Sequence, residues 1–379
     1  MLNAATTQVA HRVLFARMDN LGDVLLTSPA VRSLAARADV VYLCSPRGRP
    51  AAITLPGVTK VITGRLPWID AKPLPVTRTG IESLVQAISD CDVGEAIIST
   101  SFHQNPLPLA LVMRIAGVGR LSAISVDYAG SLLDVRHNVS DDIHEVERGL
   151  SLTQAAGYPL PHTDGRKLRV CLDRTSPHDF GLPKRYVVLH PGASVSARAW
   201  PERRSAALVQ LLTGRGHHVV LTGTHDDRPA CIRLADAATS PSSVTNLVGL
   251  TDFPTLATVI KRSQVIVCGN TGPAHIAAAV ETPVVSIYAP TVPDSRWRPW
   301  MVPHVLLGRQ DIACAGCRAR VCPVPGHPCI NDVRPETVAV AVESLMEHGK
   351  SRVTDEASRS HRPTEQFVLA GAAERVRPR

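Results

Sequence analysis

The sequence lacks any long apolar run and has few aromatic side chains. No stretch approaches the ~20 apolar residues that a membrane-spanning helix needs. Met1–His11 contains no apolar core of the signal-peptide type, so we expect a cytoplasmic protein. Phe, Trp and Tyr make up only 4% of the chain, and no basic helix carries interleaved aromatics. This composition argues against nucleic acid as a partner.

Two further absences exclude other classes of protein. The first strand–turn–helix segment, M-D-N-L-G-D at 18–23, lacks G-x-G-x-x-G, which disfavours a dinucleotide-binding oxidoreductase. The nine cysteines come without a secretion signal, so no disulfide framework is expected. What is present is a length of 379 residues, typical of two domains, and a formal charge of +8. That excess favours an anionic ligand or an anionic membrane face.

One segment, residues 265–290, predicts a strand, a turn, a helix and a second strand. Val265–Cys268 is short, apolar and β-branched, as in a buried strand. The G-N-T-G turn at 269–272 follows, and Pro273 suits the first position of a helix. The helix Ala274–Val280 stops before Thr-Pro, and Val284–Tyr288 is the next strand.

This turn is a candidate phosphate site. A helix start after a strand leaves backbone N–H groups unpaired, and these favour an anion. Gly269 and Gly272 have no Cβ and allow close approach, while Thr271 adds a hydroxyl and His275 a titratable ring. An ordinary tight turn between a strand and a helix is the alternative.

The start of the chain predicts a β–α–β unit and therefore a parallel sheet. Arg12–Arg17 is a strand, Gly22 makes the turn, one helix follows, and Val40–Cys44 is the next strand. Asp19 and Asp23 flank Gly22, and their simplest role is interaction with the helix dipole. Two weaker candidate groups follow in the same half of the chain, His103-Gln104-Asn105 and His144-Glu145.

The second half repeats this plan after a polar, proline-containing stretch at Thr175–Lys184. Tyr186–Leu189 is a strand, and S-A-R-A-W-P follows from Ser196 to Pro201, before a helix. Gly223 ends a further strand. Arg198 can grip phosphate through two N–H groups, although a surface arginine beside a structural tryptophan is the alternative.

Together these segments resemble glycosyltransferase family 9, the ADP-heptose glycosyltransferases. G-N-T-G-P-A-H-I-A-A-A-V-E-T-P-V-V-S-I-Y-A-P resembles its donor-binding segment, and R-x-D-x-x-G-D-x-L its N-terminal signature. The resemblance implies an α/β protein of GT-B architecture, with two Rossmann-like β/α/β domains facing a cleft. We assign 1–180 to acceptor binding and 181–349 to donor binding.

The resemblance also implies roles for individual residues. Asp23 is the candidate general base, and Arg198 is placed to meet the diphosphate. The other predicted donor or diphosphate contacts are Gly22, Ser196, Gly223, Asn270, Thr271, Gly272, Pro273 and His275. Many members carry aspartate where this chain has Asn270, so a charge is missing there.

The expected reaction is inverting transfer of a heptose or related sugar from a nucleoside-diphosphate sugar, with ADP-heptose as the donor. The acceptor is a hydroxyl of a glycan, a lipid-linked glycan or a small molecule, with peripheral membrane association as an option. No cofactor is required for catalysis. A nucleotide-sugar epimerase of similar shape and a non-catalytic nucleotide-sugar-binding protein are the alternatives.

Two features remain near the end of the chain. The loop 314–329 holds Cys314, Cys317, Cys322 and Cys329, with His327 between them. Four thiols and an imidazole suffice for a structural zinc ion, while reduced or oxidised cysteines are the other possibilities. Residues 350–379 lose all periodicity and are predicted to form a disordered basic tail.

Overall fold

The computed structural model describes residues 11–70, 72–172 and 180–355, and these divide into two compact α/β units. The first unit takes residues up to 172 and also Ser295–Trp300. The second takes 180–294 and the described residues from Met301 onward. Within the described part of the chain, no helix is long and apolar enough to cross a membrane.

The first unit is a six-stranded parallel sheet with helices between the strands. Its strands are β1 (Arg12–Arg17), β2 (Asp39–Cys44), β3 (Val58–Thr63), β4 (Glu95–Ile98), β5 (Arg120–Ile124) and β6 (Val135–His137). Its helices are α1 (Leu21–Leu26), α2 (Ser28–Ala35), α3 (Arg49–Ala52), α4 (Arg78–Ser89), α5 (Leu107–Ile115) and α6 (Glu145–Ala155).

The second unit repeats the plan with six more parallel strands. They are β7 (Val187–His190), β8 (Val219–Leu221), β9 (Val244–Asn246), β10 (Val265–Gly269), β11 (Val284–Ile287) and β12 (His304–Leu307). The later helices are α7 (Glu202–Gly214), α8 (Arg228–Asp236), α9 (Phe253–Arg262), α10 (Gly272–Ala279), α11 (Asp294–Trp297), α12 (Pro328–Asn331) and α13 (Pro335–Asp355). Single 3₁₀ turns occupy Ser196–Arg198, His225–Asp227 and Pro241–Ser243.

Both sheets have the strand order of a Rossmann fold. The first runs β3-β2-β1-β4-β5-β6, and the second runs β12-β11-β10-β7-β8-β9. In each sheet the order in which strands are added reverses between two parallel neighbours. These are β1 and β4 in the first sheet and β7 and β10 in the second. Ligands of such sheets bind beyond the carboxyl ends of the strands at this switch point.

The central strands have apolar interiors because helices cover both faces of each sheet. In β1, Val13 to Ala16 are fully buried, and in β10 Val265 to Val267 are fully buried. Each unit has its own core around these strands. The prediction of an α/β protein with two Rossmann-like domains is confirmed.

Two local expectations need correction. The turn predicted at Gly22 is already helical, because α1 begins at Leu21, and the single helix predicted after it is two helices, α1 and α2, which meet at Thr27 just before Pro29. Proline at the second position of α2 lacks an N–H and fits a new helix start better than a helix interior. Helix α13 also continues past Gly349 to Asp355, so the predicted tail begins later. The remaining tail, 356–379, lies outside the described residues.

Candidate functional site

A buried charged cluster lies at the switch point of the first sheet. Strand β1 ends at Arg17, whose side chain is 2% exposed. Its Nε lies 2.6 Å from Asp19 Oδ2, and its Nη1 lies 3.0 Å from Glu145 Oε2. Its Nη2 lies 3.6 Å from Asp23 Oδ1. One guanidinium thus contacts three carboxylates at the predicted ligand-binding edge of the sheet.

The loop after β4 holds this cluster in place. Ser101 accepts a hydrogen bond from Arg17 Nη2 at 2.8 Å and donates to Asp19 Oδ2 at 3.2 Å. Gln104 Nε2 donates to the other Asp19 oxygen at 2.5 Å. Asp19 is therefore fixed by three neighbours, and Gln104, one of the weaker candidates of the sequence, holds a carboxylate inside the protein.

Asp23 is the most accessible carboxylate of the cluster. It lies in the first turn of α1, and its side chain is 24% exposed. Loss of solvation and the charge of Asp19 raise the pKa of Asp23 to about 7, although Arg17 opposes the shift. A carboxylate with a pKa near neutrality can accept a proton and later release it, as a general base must.

An aromatic group from later in the chain completes this site. The Trp297 side chain hydrogen-bonds Asp23 and packs against Phe102, with ring centroids 5.6 Å apart. The Arg296 guanidinium lies over the Phe102 ring, 4.0 Å from its centroid. Ser295–Trp300 therefore belongs to the first unit because its side chains pack there.

The switch point of the second sheet brings Arg198 close to the G-N-T-G turn. A Cβ added to Gly269 would lie 3.4 Å from the Arg198 carbonyl oxygen, so the two turns are adjacent. Arg198 ends a 3₁₀ turn, and its Nε donates to Thr291 Oγ1 at 3.1 Å. A guanidinium has four further N–H groups with which it can bind an anion.

The G-N-T-G turn has the predicted geometry of a helix start. Thr271 is the N-cap of α10 in an extended conformation, and its side chain makes no capping bond. Its hydroxyl donates a long hydrogen bond of 3.4 Å to the Gly269 carbonyl oxygen. Gly272 and Pro273 open the helix. The uncapped N-terminus beside Arg198 is suited to a phosphate group.

The other predicted donor contacts are placed less directly. The Asn270 side chain is turned inward, is 9% exposed and donates from Nδ2 to the Ala289 carbonyl at 3.2 Å. His275 is 7% exposed within α10. Ser196 is exposed, and its hydroxyl donates to the Arg320 carbonyl at 3.3 Å. Contact of these residues with a ligand stays a prediction.

Gly223 has an internal neighbour that the sequence did not reveal. A Cβ at Gly223 would lie 3.0 Å from Asp227 Cβ, and one at Gly192 would lie 2.7 Å from Asp227 Oδ1. Asp227 accepts hydrogen bonds from the Thr224 N–H and hydroxyl, each at 2.7 Å. Both glycines therefore make room for this carboxylate.

His190 is the last residue of β7, two residues before Gly192, and its side chain is buried. Burial lowers the pKa of His190 to about 4.

The four loop cysteines converge on one pocket. Cys314, Cys317, Cys322 and Cys329 line it together with His327. Burial, followed by the neighbouring thiols, raises the pKa of Cys329. No disulfide is present among the cysteines in the described part of the chain, and no three His, Cys, Asp or Glu side chains there are arranged to hold a metal ion.

The cysteine loop is hydrogen-bonded to the turns around Arg198. The Arg320 carbonyl accepts from the Ala197 N–H at 3.1 Å. The Gly316 N–H donates to the Pro290 carbonyl at 2.7 Å, and the Arg318 N–H donates to the Thr291 carbonyl at 2.9 Å. The loop thus supports both Arg198 and its partner Thr291.

Two six-stranded parallel sheets of Rossmann order give the chain the GT-B architecture found in heptosyltransferase structures. The chain belongs to glycosyltransferase family 9 (heptosyltransferase), whose family model matches residues 103–327. That range contains Arg198, the G-N-T-G turn and most of the cysteine loop. Asp23 lies outside it, so its assignment depends on the geometry of the charged cluster.

Individual relatives agree with this assignment. Lipopolysaccharide heptosyltransferase 3 of Escherichia coli is 33% identical over 151 residues, covering 40% of this chain and 43% of that protein. The chain thus spans under half the length of this relative. Lipopolysaccharide heptosyltransferase 1 of Pseudomonas aeruginosa is 26% identical over 361 residues, covering 88% and 98%.

Solved structures show the same fold. A family 9 glycosyltransferase from Veillonella parvula has a TM-score of 0.74 at 16% identity, covering 89% of this chain and 98% of that one. ADP-heptose lipopolysaccharide heptosyltransferase II of E. coli has a TM-score of 0.70 at 20% identity, covering 89% and 99%.

Proposed function

We propose that this protein is an inverting heptosyltransferase that uses a nucleoside-diphosphate heptose, with ADP-heptose as the donor. The observation that carries the proposal is Asp23, a partly exposed carboxylate whose pKa is raised to about 7 at a sheet switch point. Support for the donor comes from an E. coli heptosyltransferase of TM-score 0.65, which was solved with ADP-2-deoxy-2-fluoro heptose. Family membership favours a transferase over the epimerase.

The reaction is a single displacement at the anomeric carbon. Asp23 takes the proton of the acceptor hydroxyl while that oxygen forms a bond to C1 of the sugar. The bond between C1 and the diphosphate oxygen breaks on the opposite face, and its electron pair leaves with the nucleoside diphosphate. The configuration at C1 is therefore inverted, and the proton ends on Asp23.

The leaving diphosphate gains negative charge as its bond to the sugar breaks. Arg198, the Thr271 hydroxyl and the N–H groups at the start of α10 are proposed to stabilise that charge. Gly22, Ser196, Gly223, Asn270, Pro273 and His275 are proposed to shape the surrounding donor site. These groups can supply the stabilisation without a catalytic cofactor.

The acceptor is proposed to be a hydroxyl of a cell-envelope glycan, lipid-linked or free. The relatives named above are lipopolysaccharide heptosyltransferases, and the chain carries a net charge of +8. A basic protein that acts on a lipid-linked anionic glycan would work at the inner face of the membrane. A small-molecule acceptor is the other option.

A mass-spectrometric screen tests the proposal. The purified protein is incubated with a panel of sugar nucleotides and a de-O-acylated lipopolysaccharide core, and released nucleoside diphosphate is measured. We expect ADP release from ADP-heptose, together with a product heavier by one heptose. If no donor releases a diphosphate, the protein is a non-catalytic nucleotide-sugar-binding protein. If the donor is isomerised instead, the protein is an epimerase.

Structural zinc in the cysteine loop stays a prediction. Its support is the convergence of Cys314, Cys317, Cys322 and Cys329 on one pocket. Zinc bound there would add to the folding free energy of the loop. The present side-chain positions do not form a coordination group, so binding would require the thiols to rearrange.

Cys317→Ser is expected to lower both zinc content and melting temperature if the loop holds the metal. Protein prepared without chelators should then carry about one equivalent of zinc. Cys171→Ser is the matched control, because Cys171 is also exposed but lies outside the loop. Metal-free wild-type protein with an unchanged melting temperature in the Cys317 variant would instead indicate reduced cysteines.

A further inference from the structure

The charged cluster of the first unit contains more negative than positive charge. Arg17 contacts Asp19, Asp23 and Glu145, and all three carboxylates lie within 3.6 Å of its guanidinium. Burial lowers the pKa of Arg17, but the charges of these carboxylates outweigh burial and raise it, so the cation persists. One cation shared among three carboxylates makes their proton affinities interdependent.

Glu145 is the most deeply buried carboxylate of this cluster. It opens helix α6, its side chain is 1% exposed, and it comes from a segment more than a hundred residues after Arg17. It contacts Arg17 Nη1, whereas Asp23 lies near Nη2 of the same guanidinium. A residue so buried cannot touch a substrate directly, so any effect on the reaction must pass through its charge.

The groups that face Asp23 come from four elements. Arg17 ends β1, Asp19 lies in the loop before α1, Glu145 starts α6, and Trp297 belongs to α11. The negative charges of Asp19 and Glu145 favour protonated Asp23, and Arg17 and the Trp297 hydrogen bond favour the carboxylate. Arg148, also on α6, is close enough to Glu145 and Arg17 to interact with both charges.

We propose that Glu145 and Arg17 are positioning residues that control the proton affinity of Asp23 with opposite sign. The proposal rests on Asp23 as the general base. Glu145 competes with Asp23 for the positive charge of Arg17 and so keeps Asp23 basic enough to take a proton. Arg17 limits this effect, so that a fraction of Asp23 stays ionised at neutral pH. The alternative is that Glu145 only neutralises a buried arginine and supports folding.

Glu145→Gln keeps the shape of the side chain and removes its charge. We expect the acidic limb of the pH profile of kcat/KM to move to lower pH by about one unit, the size of a single nearby charge. The assay follows ADP release from ADP-heptose with the de-O-acylated lipopolysaccharide core. Asp19→Asn should move the limb in the same direction and serves as the second variant if Glu145→Gln does not fold.

Arg17→Met should move the limb to higher pH, because the cation that favours ionised Asp23 is lost. Arg17→Lys should restore most of the original profile, since it keeps the charge. Glu147→Gln is the matched control, because Glu147 lies on the same helix and pairs with Arg166, away from the cluster. A folding role alone would change the melting temperature of Glu145→Gln and leave the limb in place.

A readout without substrate separates this inference from the proposed function. Carbon-13 NMR of labelled aspartate carboxyls gives the titration of Asp23, which is assigned by the loss of its signal in Asp23→Asn. A shift to lower pH in Glu145→Gln supports the inference, and an unchanged titration in the folded variant overturns it. If the titration shifts but Asp23→Asn retains turnover, the charge effect stands and the general-base assignment is wrong.

Discussion

Asp23→Asn is expected to reduce turnover by ~10²–10⁴, the range measured for the loss of a general base. Asparagine keeps the size and hydrogen-bonding of the side chain but cannot accept a proton. Donor affinity should change little, because the predicted donor contacts other than Gly22 lie in the second unit. Steady-state kinetics and donor binding by calorimetry check both parts.

Asp39→Asn is the matched control for this substitution. Asp39 is the first residue of β2 and lies beside Arg12 in the strand register, at the amino end of the sheet. Asp23 lies at the opposite, carboxyl end of the strands. Its replacement should leave turnover unchanged. Turnover at the wild-type rate in folded Asp23→Asn would remove the base from the proposed mechanism.

Asp23 also links activity to stability. Its pKa is raised from 3.8 to about 7, so the folded state binds the proton more tightly than the unfolded state does. The contribution of Asp23 to the free energy of unfolding is therefore greatest below pH ~4 and decreases as pH rises through about 7. At pH 8 Asp23→Asn should melt no lower than the wild type.

Arg198→Ala is expected to lower turnover by ~10²–10³, comparable to the loss of one oxyanion-stabilising donor. The loss in turnover should exceed the loss in donor affinity, because the charge on the diphosphate rises only as the glycosidic bond breaks. Thr271→Val should act in the same direction but more weakly, since a neutral hydroxyl is removed instead of a cation.

The two residues come from separate β–α units, and a Cβ added to Gly269 would lie 3.4 Å from the Arg198 carbonyl oxygen and 3.7 Å from Thr271 Cγ2. If both contact one diphosphate, the double variant should lose less than the sum of the two single effects. Arg203→Ala is the control, because Arg203 is an exposed arginine of the neighbouring helix α7. Unchanged turnover and nucleotide binding in Arg198→Ala would show that Arg198 is only a surface residue.

The sequence could predict those parts of the fold that depend on local pattern. Strand β1 has the predicted bounds, and the strand, turn and helix around Thr271 were also located correctly. Short apolar strands, glycine turns and alanine-rich helices are recognisable from neighbouring residues alone. The family resemblance, carried by the same segments, is confirmed.

The charged cluster could not be predicted because its members are far apart in the chain. The cluster forms only when the sheet is complete and Ser295–Trp300 packs on the first unit, which brings together Arg17, Ser101, Glu145 and Trp297. The sequence had named Asp19, Asp23, Gln104 and Glu145 as separate candidates, but nothing in it showed that they meet around one arginine. Asp227 was missed for the same reason, since its contact with Gly192 spans two β–α connections.

The backbone contacts between the cysteine loop and the Arg198 turn have a consequence for measured rates. Molecules in which the loop has opened locally would lose the support of Ala197 and Thr291, although both sheets remain folded. The observed turnover would then equal the turnover of the closed form multiplied by the fraction of molecules that are closed. Oxidation, metal binding or mild heating could therefore change the apparent kcat without altering any group that touches the substrate.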